Sequence, residues 1–435
     1  MTTLKKLGFI LVLLVGSFLT VSCNDDSKDS TTEKQLYRRT VIIYMAAQNS
    51  LGASSETSIS AMEADSSEIA AGIKYLSTTD NVVLFLDDEN APRLYRFYKS
   101  ENGSTYYKVL KTYTEDVSST DPSTLAEVLK IADMYCPSQS YGLILWSHGT
   151  SWLPDLSSYS PKTRAFGIDV GIGGDMENDT AADGQAGHQM EIEEIASAIS
   201  ESGLHMDYIL FDACIMQAIE VAYSLRHVTD YIIGSPAITS AYGYVYHDLI
   251  KEALFAWPLS DENISTIADT HYYDIMENPD WKQKYQDMGC VISVIKTSEL
   301  ENLATATATY LQKYVKGGTY PNLSSTKGYV DYRSTYYPDS YDINDAMSRL
   351  LPEADWQKWH ETLSKCVIHS RISDSYYWGA QGTRILTTQS NPTTFCGVSM
   401  FVPQGKYNYR ADINYNEAFR QTEWYEAAGW ASAGW

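Results

Sequence analysis

The sequence YGLILWSHG at residues 141–149 and the sequence YILFDAC at residues 208–214 are two apolar segments that each end in a reactive side chain. Both have the length and the continuous apolar character of a strand covered on both faces of a sheet. His148 follows the first segment and Cys214 follows the second. Strands that end at one edge of a parallel sheet bring such groups together, so these two segments suggest a shared site.

Strand patterns alternate with helical patterns through the first half of the chain. Residues 39–46 and 81–86 are further predicted strands, and residues 95–109 predict a β-hairpin with Asn102 and Gly103 at its turn. Helices are predicted at residues 56–75, 121–134, 191–199 and 215–225. The alternation predicts an α/β fold with a mostly parallel sheet and helices on both of its faces.

The second half of the chain, residues 241–435, has a looser pattern. Strands are predicted at residues 291–295 and 396–402, and helices at residues 299–314, 343–351 and 355–363. This half is either a C-terminal α+β extension that completes the sheet or a small second domain packed on it. We therefore expect a core at residues 37–240, followed by this region.

Composition excludes some classes of protein. The chain has 435 residues, of which 44% are hydrophobic and 20% charged, so it can bury a large core. It has 32 basic and 55 acidic side chains, for a net charge of −23. Such a surface repels phosphate backbones, and no nucleic-acid partner is expected.

Cys214 and His148 together suggest a nucleophile and its partner. Cys214 precedes a predicted helix, and the positive end of a helix dipole, like a nearby imidazole, would favour the thiolate. Taken separately, Cys214 could be a small core residue and His148 an ordinary hydrogen-bonded side chain. Their two strand ends, 66 residues apart in the sequence, favour a catalytic dyad.

Asp212 stands two residues before Cys214 and would project to the same side of an extended backbone. A carboxylate beside the nucleophile would suit a pocket for Arg or Lys at the cleavage position. The alternative is an N-cap for the predicted helix that follows, and the two roles are compatible.

Three segments resemble the clostripain-like cysteine peptidases of the caspase–haemoglobinase clan. They are TVIIYMAAQNSL at residues 40–51, LWSHG at residues 145–149 and DACIM at residues 212–216. The resemblance implies a caspase-like fold, a His148–Cys214 dyad, Asp212 in the S1 pocket, and an oxyanion hole made by the amides of Gly149 and Cys214. It also implies protein or peptide substrates with Arg or Lys. The chain departs from the family pattern at Gln48, where Asp is usual, and after Gly149.

Two loop features between His148 and Cys214 follow from this resemblance. Several relatives cut themselves in this loop after a basic residue, and Lys162 and Arg164 are the candidates here. The acidic, glycine-rich residues 169–183 suggest calcium, although their spacing is not that of an EF-hand. For each feature the alternative is an ordinary solvated loop. No cofactor is expected for the chemistry itself, and no metal ligand is assigned.

The first residues predict export. Lys5 and Lys6 precede an apolar run at residues 7–19, and Cys23 follows Ser22 as in a bacterial lipobox. Residues 1–23 would be a lipoprotein signal ending at a lipidated Cys23, and residues 24–36 a polar tether. An acidic start after Cys23 resembles surface-exported Bacteroidetes lipoproteins, so we expect a lipid anchor in a bacterial outer membrane. The alternative is ordinary signal cleavage with Cys23 incidental.

Five further cysteines remain, an odd number without a C-x-x-C pair, so a zinc site or a disulfide framework has little support. The sequence leaves one other function open. With 34 Tyr and ten Trp, the chain could be a catalytically silent surface lipoprotein that binds a host or dietary polymer through an aromatic face.

Overall fold

A computed structural model describes residues 36–54, 59–152, 166–281, 289–315, 328–330, 340–378, 384–387, 394–404 and 415–435. The predicted signal sequence with Cys23, and the loop with Lys162 and Arg164, lie outside these ranges. Within them, no helix combines the length and the apolar character needed to cross a membrane.

A ten-stranded mixed sheet forms the centre of the described chain. The described chain has strands both in this sheet and outside it. They are, in chain order, β1 (Arg39–Ala46), β2 (Asp80–Asp87), β3 (Arg93–Lys99), β4 (Thr105–Thr112), β5 (Tyr141–Trp146), β6 (Phe166–Asp169), β7 (His188–Met190), β8 (Met206–Asp212), β9 (Thr229–Gly234), β10 (Gly289–Lys296), β11 (Gly328–Val330), β12 (Ser340–Asp342), β13 (Val367–Trp378), β14 (Arg384–Thr387) and β15 (Ser399–Met400). The order across the large sheet is β14-β13-β10-β9-β8-β5-β1-β2-β3-β4.

The middle of the sheet is parallel and its margins are antiparallel. β2, β1, β5, β8 and β9 run in one direction, each parallel to its neighbour. β3 and β4 on one side, and β10, β13 and β14 on the other, join in antiparallel pairs. Every residue of β1 and of β5 is buried, as expected of strands covered on both faces. This confirms the predicted fold class.

Helices cover both faces of the sheet. They are α1 (Ala61–Gly72), α2 (Pro122–Tyr135), α3 (Ile192–Ser202), α4 (Ile219–Leu225), α5 (Tyr246–Glu252), α6 (Asp261–Met276), α7 (Leu300–Tyr314), α8 (Ile343–Leu350), α9 (Glu353–Cys366), α10 (Tyr415–Phe419) and α11 (Glu423–Ala427). Ile42 and Tyr44 of β1 belong to the core that contains α2, α3 and α4. Ile43 and Met45 belong to the core that contains α1, α5 and α6, because successive side chains alternate across a strand.

Strands from the second half of the chain extend the same sheet beyond β9. β12 lies between β11 and β15 in a separate three-stranded sheet. The strand predicted at residues 396–402 is wrong in extent, since only Ser399–Met400 is a strand. The amides of Cys396 and Gly397 instead donate to the Asp342 carboxylate, at 2.9 and 3.1 Å, and so leave the strand ladder.

Candidate active site

The pairing of β5 with β8 brings His148 and Cys214 to the same edge of the sheet. The two strands are parallel, with Trp146 opposite Asp212, and the Ser147 amide still donates to the Asp212 carbonyl at 3.3 Å. Each reactive residue lies two positions beyond that last pair. Neighbouring strands are about 4.8 Å apart, so two chains leaving in register carry these two residues out at the same edge of the sheet.

Gly149 lies directly against the backbone that carries Cys214. A Cβ atom on Gly149 would be 2.5 Å from the Cys214 carbonyl oxygen and 2.8 Å from Met216 Sδ. Only glycine fits this approach, because the nearest obstacle is backbone that cannot turn aside. Within the described residues, neither the Gly149 amide nor the Cys214 amide donates to a backbone carbonyl.

The His148 ring is held by the turn that follows β1 and by Asp179. Its Nε2 lies 2.9 Å from Ser50 Oγ and 3.7 Å from Asp179 Oδ2. Ser50 in turn donates to Asp179, from its amide at 2.7 Å and from its hydroxyl at 3.1 Å. Burial lowers the pKa of His148, and the Asp179 carboxylate opposes that shift. The ring is therefore mostly neutral near pH 7, as a proton acceptor must be.

The Cys214 thiol lies beside the segment that follows β9. The Thr239 amide donates to Sγ at 3.4 Å, and Thr239 Oγ1 is 3.6 Å from Sγ. In the described chain the thiol and the imidazole thus make their hydrogen bonds to Thr239 and Ser50, not to each other. Cys214 is only partly buried, whereas the four other cysteines of the described chain are buried thiols: Cys136, Cys290, Cys366 and Cys396.

One expected source of thiolate at Cys214, the dipole of the following helix, is wrong. The helix predicted at residues 215–225 begins only at Ile219, and Ile215 has a left-handed φ of 59°. Cys214 is therefore not at a helix N-terminus, and no helix dipole acts on it. Burial raises the pKa of Cys214, although hydrogen bonds from Thr239 oppose the rise. The resting group is a thiol, so its proton must leave during the reaction.

Asp212 faces a pocket next to Cys214. Its Oδ2 accepts hydrogen bonds from the Tyr246 hydroxyl at 2.9 Å and the Tyr244 amide at 3.4 Å. The alternative role as a helix N-cap is wrong, because Ala218 occupies that position before α4. Burial, with a smaller contribution from nearby Glu68, raises the pKa of Asp212 to about 7, although the hydrogen bonds from Tyr246 and Tyr244 oppose the rise. The other lining residues include Ser235, Thr239, Gly243, Tyr244 and His271.

Among the described residues that line this pocket, none carries a positive charge. Burial lowers the pKa of His271 to about 3, so its ring is neutral. A Cβ atom on Gly243 would lie 2.8 Å from Asp212 Oδ2 and also 2.8 Å from Asp65 Oδ2. Asp212 Oδ2 and Asp65 Oδ2 are therefore separated by at most twice 2.8 Å, so the two carboxylates lie close together. Asp65 also accepts from the Trp146 indole at 2.7 Å, which ties α1 to the end of β5.

The sequence analysis did not identify four residues that contact the site: Ser50, Asp179, Thr239 and Asp65. Ser50 follows β1, whose carboxyl end lies at the same edge of the sheet as those of β5 and β8. Its position after a predicted strand could therefore have marked it as a site residue. Asp179 lies in the acidic loop considered for calcium. In the described ranges no group of three or more His, Cys, Asp or Glu side chains is placed to hold a metal ion.

Comparisons with known proteins point to one family. The family model described as the clostripain family matches residues 43–435. A secreted C11 cysteine protease from Bacteroides thetaiotaomicron, solved with an irreversible peptide inhibitor, is 27% identical with a TM-score of 0.72. An inactive zymogen C11 protease from Parabacteroides distasonis is 27% identical with a TM-score of 0.69. Each match covers 91% of this chain and 99% of the other. Among curated proteins, none matches.

Proposed function

Because the chain belongs to the clostripain family and is a cysteine endopeptidase, we propose that it cleaves peptides after Arg or Lys through a dyad of Cys214 and His148. The in-register exit of β5 and β8 supports this proposal, since both residues follow strands that end at the same edge of the sheet, near the pocket that Asp212 lines. The solved relatives described as C11 proteases share this fold at 27% identity.

The reaction begins with a neutral thiol and a neutral imidazole. His148 takes the proton of Cys214 as Sγ attacks the carbonyl carbon of the substrate. The amides of Gly149 and Cys214 stabilise the negative charge that forms on the carbonyl oxygen. The imidazolium then protonates the leaving amine, the C–N bond breaks, and an acyl-enzyme remains. His148 removes a proton from water, which attacks the thioester and returns Cys214 as a thiol.

Asp212 selects the residue before the cleaved bond. An ionised carboxylate at the pocket would pair with a guanidinium or an ammonium group, and neutral His271 offers it no competing cation. Substrate binding thus supplies the positive partner that the buried Asp212 carboxylate lacks in the described pocket.

Turnover of fluorogenic peptides with Arg, Lys, Gln or norleucine at P1 tests this function. We expect thiol-dependent turnover of the Arg and Lys peptides by the wild type, and none by Cys214→Ala or His148→Ala. Cys136→Ala, which removes a buried thiol, is the matched control and should stay active. Asp212→Asn should lose the preference for basic residues by about a hundredfold. Absence of thiol-dependent turnover in the wild type, with and without calcium, would favour the polymer-binding alternative.

Self-activation at Lys162 or Arg164 belongs to the same proposal. Both residues lie between the dyad members in sequence, and both would be substrates for a pocket that takes basic side chains. Intact mass measurement should find a cut after one of them in the wild type and an uncut chain in Cys214→Ala. Lys162→Gln combined with Arg164→Gln should leave the chain intact although Cys214 is present. The same fragments in the Cys214→Ala variant would contradict autolysis.

Membrane anchoring through Cys23 is the last part of the proposal. The apolar run at residues 7–19 and the Ser22–Cys23 pair support it. Metabolic labelling with an alkyne fatty acid should tag the wild type and not Cys23→Ser, and fractionation should place the wild type in the outer membrane. Equal labelling of both would exclude Cys23 as the lipidated residue.

A further inference from the structure

We propose that Ser50 and Asp179 are positioning residues that fix the tautomer of His148, a proposal that rests on the His148–Cys214 dyad. Ser50 Oγ lies between His148 Nε2, at 2.9 Å, and Asp179 Oδ2, at 3.1 Å. The three groups form a continuous chain of hydrogen bonds at the carboxyl edge of the sheet.

The direction of these hydrogen bonds follows from the chemistry of the groups. An ionised carboxylate can only accept, so the single proton of the Ser50 hydroxyl points to Asp179. The hydroxyl oxygen must then accept from the imidazole, which puts the ring proton on Nε2. Nδ1 is left as the basic nitrogen, and in the described chain it makes no hydrogen bond of its own. The arrangement thus selects Nδ1 to receive the thiol proton.

The Ser50 hydroxyl is held firmly in place. The backbone amide of Ser50 also donates to Asp179, at 2.7 Å, so the carboxylate accepts two hydrogen bonds from Ser50. The turn is anchored by Asn49, whose side-chain amide donates to the carbonyls of Ala46 at 2.7 Å and Ile168 at 2.8 Å. Asp179 has a left-handed φ of 53°, and its carbonyl accepts from the Gly187 amide at 2.9 Å.

The same carboxylate stabilises the imidazolium formed during the reaction. Asp179 Oδ2 is 3.7 Å from His148 Nε2, and it is the charged group among the described residues that raises the pKa of this ring. Removing the Asp179 charge should lower the pKa of His148 further, since burial already lowers it.

Nuclear magnetic resonance of histidines tests the tautomer without any substrate. In a Cys214→Ala protein with ¹⁵N-labelled histidine, His148 should carry its proton on Nε2, with its signals assigned by comparison with His148→Gln. Adding Ser50→Ala should mix the two tautomers, and adding Asp179→Asn should lower the pKa of His148. A ring protonated on Nδ1, or signals unchanged by both substitutions, would overturn the proposal. Because this readout needs no turnover, it can fail separately from the proposed function.

Kinetics distinguish positioning from mere support of the loop. Ser50→Ala should lower kcat by about a hundredfold and Asp179→Asn by about tenfold, with little change in KM. Ser50→Thr keeps the hydroxyl and should restore most of the rate. Asp183→Asn is the matched control, because Asp183 lies in the same loop and, among the described residues, its side chain accepts only from the Gln185 amide, at 2.9 Å. A fall in thermal stability with unchanged kcat would show a structural role only.

Discussion

Protonation of Asp212 should make the binding of basic peptides depend on pH in a way that neutral peptides do not share. Burial raises the pKa of Asp212 to about 7, and only its ionised form attracts a guanidinium group. The ionised fraction rises from about 9% at pH 6 to about 91% at pH 8. The affinity for an arginine peptide should therefore rise about tenfold over this interval, which corresponds to about 1.4 kcal/mol.

Direct binding to the Cys214→Ala variant measures this effect, because that variant neither cleaves the peptide nor titrates a thiol. A peptide with citrulline in place of arginine has the same shape without the charge, and serves as the matched ligand. Titration calorimetry at pH 6, 7 and 8 should show the tenfold change for arginine and a flat profile for citrulline. Any titration of His148 would affect both peptides alike, so their ratio isolates Asp212.

Asp212→Asn, added to the same protein, should abolish the difference between the two peptides at every pH. The reasoning would be refuted if the arginine-to-citrulline ratio were constant from pH 6 to pH 8 in the protein that retains Asp212. It would equally be refuted if the ratio kept its pH dependence after Asp212→Asn, since another carboxylate would then bind the guanidinium.

Three further outcomes are expected. Gly149→Ala should lower kcat at least a hundredfold, because the new Cβ would lie 2.5 Å from the Cys214 carbonyl oxygen. Active-site titration and peptide turnover measure this effect, and full activity would contradict this packing. Burial raises the pKa of Asp87 to about 8, above the value of about 3.9 that an Asp has in an unfolded chain. The folded state therefore binds the Asp87 proton more tightly than the unfolded state, and the protein loses stability as pH rises through 8. Urea unfolding from pH 6 to pH 9 should therefore show a smaller loss for Asp87→Asn than for the wild type, and equal losses would count against it. Iodoacetamide should modify Cys214 before any buried thiol, as peptide mapping of the folded protein would reveal, and earlier modification of Cys136 would argue otherwise.

The fold was predictable wherever local chemistry and tertiary structure favour the same state. The nearly continuous apolar segments became β1, β5 and β8, since strands buried on both faces carry few polar residues. The Asn102–Gly103 hairpin formed as predicted between β3 and β4, with Gly103 at a φ of 84°. The helix start at Asp121 was also right, because its side chain accepts from the Ser123 amide at 2.8 Å ahead of Pro122.

The electrostatic state of the site was not predictable from neighbouring residues in sequence. Cys214 was expected to gain a thiolate from a helix dipole, but the chain takes four residues with one left-handed turn before α4 begins. Burial then decides its pKa, and burial depends on the segment after β9 that brings Thr239 to the sulfur. The same holds for Asp212: burial and Glu68 of α1 raise its pKa, and the hydrogen bonds from Tyr246 and Tyr244 oppose the rise.

The sequence by itself determined which residue types stand at the ends of two buried strands, and hence the family and the candidate dyad of His148 and Cys214. It did so because strand character and strand ends are encoded in short, continuous segments. Only the tertiary structure decided which nitrogen of His148 faces a hydrogen-bond partner and how Asp212 is surrounded. Ser50 and Asp179 are 129 positions apart, and only the folded chain brings their side chains into hydrogen-bond distance. Hydrogen-bond direction and desolvation depend on such long-range neighbours, which no local pattern specifies.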